Sequence, residues 1–327
     1  MKNKLSYPRL ILTGISFLAL FIIGTFSPSG TFTRFLPSGA SYNSSDQQCS
    51  QISDELGLFV NVPGGGFTKA EYPVYPEEGS AHKVFVSPFQ LQAHEVTNYQ
   101  FARFVAETGY LTEAEQQRAG QDGQRGSARF RQPQPSNANS SWWQLDESVS
   151  WRSPNGIEDV LDQKGNHPVV HISLNDARAF ASWAGGRIPT EVEWEYAASL
   201  GIFDANDPES GIVTPDGKPR ANIWNGSFPA SNTEEDGYAE TAPVGCYQAN
   251  LIGAYDMIGN VWEWTETQFS AANNEGAPRF TIKGGSYLCS NNHCRRFRKS
   301  ARQPYEQDFS SSHIGFRIVR DTDSAIH

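Results

Sequence analysis

Two cysteines five positions apart, Cys289 and Cys294, lie in the stretch K-G-G-S-Y-L-C-S-N-N-H-C-R-R-F-R (283–298). On a regular strand residues i and i+5 face opposite ways, so these thiols meet only if a loop joins them. Arg295, Arg296, Arg298 and Lys299 follow directly, and cationic neighbours favour thiolate over thiol. Two converging thiolates suit Cu(I), zinc or a redox disulfide. A plain structural disulfide is the simplest reading of the pair in an exported chain; a zinc half-site would lack partners. The seven histidines form no H-x-x-H or H-E-x-x-H pattern. His167 and His171 are separated by a proline and read as packed or capping residues. His293, between the cysteines, either tunes their proton affinity or faces solvent. G-x-S-x-G, P-loop and dinucleotide fingerprints are absent from the sequence.

Two oxygen-rich clusters could hold calcium, which takes carboxylate, amide and carbonyl ligands. Asn222, Ile223, Asp236 and Tyr238 lie in the turn-rich N-I-W-N-G-S-F-P-A-S-N-T-E-E-D-G-Y. Asp256, Gly259, Val261 and Glu263 lie in D-M-I-G-N-V-W-E. Taken alone, each cluster reads as a surface loop.

Capping boxes mark the elements that must position these groups. Thr97 with Gln100 opens a helix with Phe101, Phe104 and Val105 on one face, closed by Gly109. Ser173 with Asp176 opens a second, closed by Gly185, and Thr190 with Glu193 opens a third carrying Trp194. Short strands are expected at 83–87, 279–283 and 314–319 from β-branched and aromatic content. Residues 116–141, rich in Gln, Gly, Ser and Arg, read as a surface excursion. Few helices, short strands and many loops make a low-regularity α+β domain. The 29 glycines, 19 prolines and 12% aromatics agree, and 38% hydrophobic residues suffice for a packed core.

The net charge of −10 argues against a nucleic-acid partner. Residues 10–26 carry no charge and follow Lys2, Lys4 and Arg9, which predicts a signal anchor or signal peptide with the rest of the chain outside the cytosol. The expected organisation is an N-terminal signal segment (1–30), a tether (31–57) and one domain (58–322). An uncleaved segment would attach the domain to a membrane; cleavage would release it. Cys49 and Cys246 could pair, but nothing in their spacing demands it; otherwise they read as isolated thiols.

The chain resembles the formylglycine-generating enzymes, or sulfatase-modifying factors. Their G-G-S-x-x-C-x-x-x-x-C-R signature falls on Gly284, Gly285, Ser286, Cys289, Cys294 and Arg295. Further matches run in the family's order through V-P-G-G-G-F (62–67), E-V-T-N (95–98), T-G-Y-L-T-E-A-E (108–115) and H-P-V-V-H-I-S-L-N-D-A (167–177). They continue through W-A-G-G-R-I-P-T-E-V-E-W-E-Y-A (183–197), A-N-I-W-N-G (221–226), G-N-V-W-E-W-T (259–265) and G-F-R-I-V (315–319).

The resemblance implies a single compact domain related to C-type lectin-like folds. It implies a copper-dependent oxidase that converts a cysteine in a sulfatase Cys-x-Pro-x-Arg motif to Cα-formylglycine, with molecular oxygen and a thiol reductant. It places Cu(I) on Cys289 and Cys294, puts Ser286 beside the metal and Trp262 in the pocket wall, and gives Arg295 and Glu95 to substrate contact. It turns both oxygen-rich clusters into structural calcium sites, with Asp256 standing where an amide is expected. Animal members carry further cysteines where this chain has Lys299 and Ile318, and a P-W-G block is replaced by F-D-A-N-D-P (203–208). The alternative is an exported, non-catalytic binding module of the same fold with Cys289 and Cys294 as a disulfide. An iron-dependent sulfoxide-synthase branch would need a histidine triad, which the sequence does not display.

Overall fold

The computed structural model describes residues 49, 57–116, 126–133, 141–156, 160–201, 211–214, 217–269 and 277–322. All fall within Ser44–His327, the larger of two units into which the chain divides. The expected signal segment lies outside the described residues, as does the tether apart from Cys49 and Gly57. Among the described residues no helix is long and apolar enough to cross a membrane.

Strands β1 (Phe59–Val62), β2 (Gly65–Lys69), β3 (His82–Val86) and β4 (Phe89–Gln92) precede helix α1 (Asn98–Thr108). Strands β5 (Ser127–Phe130) and β6 (Trp143–Asp146) form a hairpin, followed by α2 (Leu161–Lys164), α3 (Leu174–Trp183) and α4 (Glu191–Ser199). The short β7 (Gly226–Ser227) and β8 (Ser231–Asn232) precede β9 (Trp262–Gln268), β10 (Arg279–Lys283), β11 (Arg302–Glu306), β12 (Ile314–Gly315) and β13 (Val319–Asp321). One sheet has the order β1-β4-β13 and another β11-β10-β9-β12.

All three capping boxes form. Thr97, Ser173 and Thr190 each accept from the backbone N–H three residues on, and that residue's side chain returns the bond. Gly109 and Gly185 adopt the left-handed conformation that ends a helix, with φ of 67° and 69°. The strand expected at 314–319 is two strands in different sheets. Ile314 and Gly315 pair in parallel with β9, and Val319 begins an antiparallel ladder with β4. Between them Phe316 enters the core and Arg317 turns to Glu263, so the ladder cannot continue. The excursion expected over 116–141 is only partly one. Ser127 is buried and its hydroxyl accepts from Ser310, while Phe130 packs against Trp224 and Phe228.

Phe101, Phe104, Trp151, Phe180 and Phe316 form the aromatic centre of the main core, with Phe101 stacked 5.9 Å from Phe180 and Phe316 edge-on at 5.3 Å from Phe180. Such pairs add to the large apolar area that aromatics bury. A buried ion network joins α4 to β10. Lys283 donates to Glu195 at 2.9 Å, and Glu191 faces Lys69 at 3.2 Å and Arg302 at 3.0 Å. Cys49 and Cys246 form a disulfide across 197 residues of sequence, the pairing that their spacing left open. The pairing comes from how the fold returns the chain, which spacing does not encode.

Candidate active site

Strand β10 delivers the chain to Gly284 and Gly285, whose φ values are 96° and 79°. A Cβ on Gly285 would meet the Arg296 carbonyl oxygen at 2.7 Å, so glycine lets the two arms of the loop approach. Two turns then fold back in succession. The Cys289 N–H donates to Ser286 O at 2.8 Å, and the Cys294 N–H donates to Ser290 O at 3.2 Å. They bring the Cys289 and Cys294 sulfurs to 3.3 Å, well beyond the roughly 2.05 Å of an S–S bond. Both are free thiols, Cys289 buried and Cys294 half-buried.

The pair is electrostatically unequal. Burial pushes Cys289 up. The hydrogen bond with Cys289, reinforced by Arg296, brings Cys294 down to about 6 against the opposing effect of burial. One sulfur is thus poised as thiolate near neutral pH while its partner keeps its proton. The donor set is two soft sulfurs with a guanidinium alongside, which fits Cu(I) better than a hard cation.

The side chain of Ser286 is wholly enclosed and its Oγ accepts from the Leu288 N–H at 3.3 Å. Trp262 belongs to the buried cluster that contains Cys289. Half-buried Arg295 donates its N–H to the Tyr75 hydroxyl at 3.2 Å. The structure corrects the expected substrate contact of Glu95. Its residue is 0% exposed, and its Oε1 accepts from Asn260 at 3.0 Å, so an extended peptide on the surface has no path to it.

Beside the cysteine loop His293 stacks on Phe228, with ring centroids 4.6 Å apart, and Trp142 lies edge-on to both rings. This aromatic strip is absent from the expectations above, because Trp142, Phe228 and His293 converge from three separate segments. A strap over residues 71–78 was likewise missed. Its Glu71 pairs with Lys299, Glu77 with Arg296 and Glu78 with Arg298. The available signal was charge complementarity between an acidic E-Y-P-V-Y-P-E-E and the basic run after Cys294.

In the first oxygen-rich cluster Ile223, Asp236 and Tyr238 are brought together. Asp236 accepts from the Ile223 N–H at 2.8 Å and the Tyr238 N–H at 3.2 Å, and burial pushes its carboxyl up to about 6. The Asn222 Oδ1 is buried without a partner. In the second cluster Asp256 accepts from the Gly245 N–H and burial raises it to about 6. A Cβ on Gly259 would meet the Asn222 carbonyl oxygen at 2.4 Å, so the clusters touch there. Asn260 also bridges them, accepting from Asn222 at 3.1 Å while donating to Glu95.

Glu263 holds Arg317 through two contacts of 2.7 Å and accepts from Trp194 at 2.8 Å. Arg317 is therefore its immediate partner. Among the described residues no three Asp, Glu, His or Cys side chains converge on one metal-sized point. Backbone carbonyls would have to complete either site. Glu95, Asp256 and Glu263 lie about Arg317, and burial raises the proton affinity of Glu95 and Asp256, so a cation bound there would have to displace protons.

Residues 45–322 match the sulfatase-modifying factor enzyme 1-like domain. The chain belongs to the sulfatase-modifying factor family. It is 40% identical over 287 residues to a formylglycine-generating enzyme of Streptomyces coelicolor, covering 81% of this chain and 89% of that one. It is 36% identical over 274 residues to a Bos taurus relative named an inactive Cα-formylglycine-generating enzyme 2, covering 80% of this chain and 87% of that one. The structure of PvdO from Pseudomonas aeruginosa superposes with a TM-score of 0.51 at 21% identity, covering 84% of this chain and all of that one; the likeness is one of fold. The sulfatase-modifying factor fold thus carries the α+β architecture expected from the sequence.

Proposed function

We propose that the protein is a copper-dependent oxidase that converts the cysteine of a sulfatase Cys-x-Pro-x-Arg motif to Cα-formylglycine. The observation that carries this reading is the free Cys289–Cys294 pair at 3.3 Å within an intact G-G-S-Y-L-C loop. Relatives named for this activity, at 40% identity over most of the chain, support it.

Electron balance explains the need for a reductant. Oxidising –CH2–SH to a thioaldehyde releases two electrons and two protons, whereas reducing dioxygen to two waters takes four of each. Two thiols supply the remainder and leave as a disulfide; water then converts the thioaldehyde to the aldehyde and hydrogen sulfide. Cys289 and Cys294 would hold Cu(I), which when bound supplies the soft position for the substrate thiolate and the redox chemistry. Cys294 offers its thiolate at neutral pH, and Cys289 releases its proton when the metal competes for the sulfur. Ser286, rigid in its turn, would orient a small polar reactant by its hydroxyl. The strip of Trp142, Phe228 and His293 gives an extended peptide an aromatic wall beside the cysteines. Arg295 remains a substrate-contact candidate, with Trp262 behind the pair.

Two structural calcium ions would complete the oxygen-rich clusters, one at Asn222, Ile223, Asp236 and Tyr238, the other at Asp256, Gly259, Val261 and Glu263. An extracytoplasmic location agrees with the Cys49–Cys246 disulfide, since such bonds persist in oxidising compartments. Residues 10–26 would serve as its export signal or membrane anchor.

A second reading, a non-catalytic binding module, is favoured by the relative named inactive. Oxygen uptake separates the two. With Cu(I), a thiol and a Cys-x-Pro-x-Arg peptide, the full chain should consume one dioxygen per peptide aldehyde formed, and none with a Ser-x-Pro-x-Arg peptide. Peptide binding without peptide-dependent oxygen uptake would establish the module.

A further inference from the structure

The guanidinium of Arg296 meets three groups. Its Nη2 donates to Glu77 Oε1 at 2.5 Å and its Nη1 points to the Cys294 sulfur at 3.7 Å. Its central carbon lies 3.9 Å from the Tyr75 ring centroid. Neighbouring side chains hold the strap that supplies Tyr75 and Glu77. Arg298 makes a buried bidentate pair with Glu78, whose Oε2 also accepts from the Val74 N–H at 2.8 Å. Phe297, between the two arginines, is buried in the core. Arg296 is therefore fixed on one face by an aromatic ring and at one end by a carboxylate, with its remaining edge toward sulfur.

We propose that Arg296 compensates the charge of a two-thiolate Cu(I) centre, and that Glu77 and Tyr75 are positioning residues that hold it there. This rests on the copper reading above. Two thiolates and one Cu(I) carry a net charge of minus one, which is costly in a mostly buried site unless a cation lies alongside. A guanidinium is suited to the role because its planar fork can engage carboxylate and sulfur together while stacking on a ring. Glu77 carries the opposite charge, so its two conceivable actions have opposite signs. Acting only through its field, it would weaken an anionic centre; acting through geometry, it strengthens the centre by keeping Arg296 against Cys294.

The test is competition for Cu(I) between the reduced full chain and a chromophoric chelator at fixed pH. It uses wild type, Arg296→Gln, Arg296→Lys and Glu77→Gln, with the thermal midpoint of each copper-free protein as the folding check. Losing one charge-assisted contact should weaken Cu(I) binding about tenfold in Arg296→Gln. Arg296→Lys should fall between it and wild type, because the charge remains without the fork. Glu77→Gln should also weaken binding, by a few-fold. Wild-type affinity in folded Arg296→Gln overturns the proposal, and tighter binding in Glu77→Gln overturns the positioning role. If Arg296→Gln does not fold, Arg296→Lys and Glu77→Gln decide by the same criteria, with wild-type affinity in both counting against it. A wild-type chain that takes up no Cu(I) instead overturns the copper reading, and this proposal with it.

Discussion

The unequal proton affinities of Cys289 and Cys294 follow from their placement a few ångströms apart, one enclosed and one beside Arg296. Both cysteines and Ser286 were legible in the sequence, because a short glycine-bearing loop carries all three. Arg296 was legible only as one of a basic run; its contact with Glu77, 219 residues away in sequence, comes from the fold. Glu95 was misread because an acidic side chain in a matching motif suggested contact, whereas its carboxylate is enclosed against Asn260. Ser286→Ala tests the chemistry at this scale. Loss of Oγ strips the Leu288 N–H of its acceptor, which should cost about 1–3 kcal/mol of stability. Cu(I) uptake should persist while turnover per folded molecule falls, as expected when an interaction made in the transition state is lost. Unchanged turnover per folded molecule, with only the melting temperature lowered, would make Ser286 structural.

Helices were legible where their signals are local. The Thr97, Ser173 and Thr190 boxes each need only four consecutive residues, and each forms as expected. Strands were harder, because their partners are remote. The apolar 314–319 segment looks continuous, yet its two ends belong to different sheets. The ion network of Lys283 with Glu191 and Glu195 was also hidden, since it forms only when α4 packs beside β10. Lys283 ends the strand that leads directly into Gly284, so this network holds the base of the cysteine loop. Lys283→Met should leave Glu195 buried beside no compensating ammonium and destabilise the fold by about 3–5 kcal/mol. Replacing Glu195 with Gln in the same chain should recover part of that loss. Chemical denaturation of the two variants checks this; a Lys283→Met chain as stable as wild type would show that the network is not needed.

Across the whole molecule, irregular segments are held by covalent and ionic ties. The Cys49–Cys246 disulfide links the start of the described chain to the loop beside Asp236, and neither composition nor spacing announced it. The two oxygen-rich clusters meet through Asn260 and Gly259, so calcium would brace one continuous region. An ion bound only by the native state stabilises it by mass action. Chelation should therefore lower the melting temperature of wild type, and Asp236→Ala should melt lower and lose its response to calcium. Melting curves of wild type that coincide with and without chelator would remove both calcium sites. The central claim is that Cys289 and Cys294 together support the dioxygen-dependent oxidation of a peptide cysteine. Its most direct measurement is mass spectrometry of a Cys-x-Pro-x-Arg peptide after incubation with the Cu(I)-loaded full chain, oxygen and a thiol, beside Cys289→Ser and Cys294→Ser. The expected result is the peptide aldehyde, trapped by an aldehyde-specific reagent, with wild type and its near-complete loss in both variants. Unmodified peptide with copper-loaded wild type, or equal aldehyde from either variant, would contradict the account.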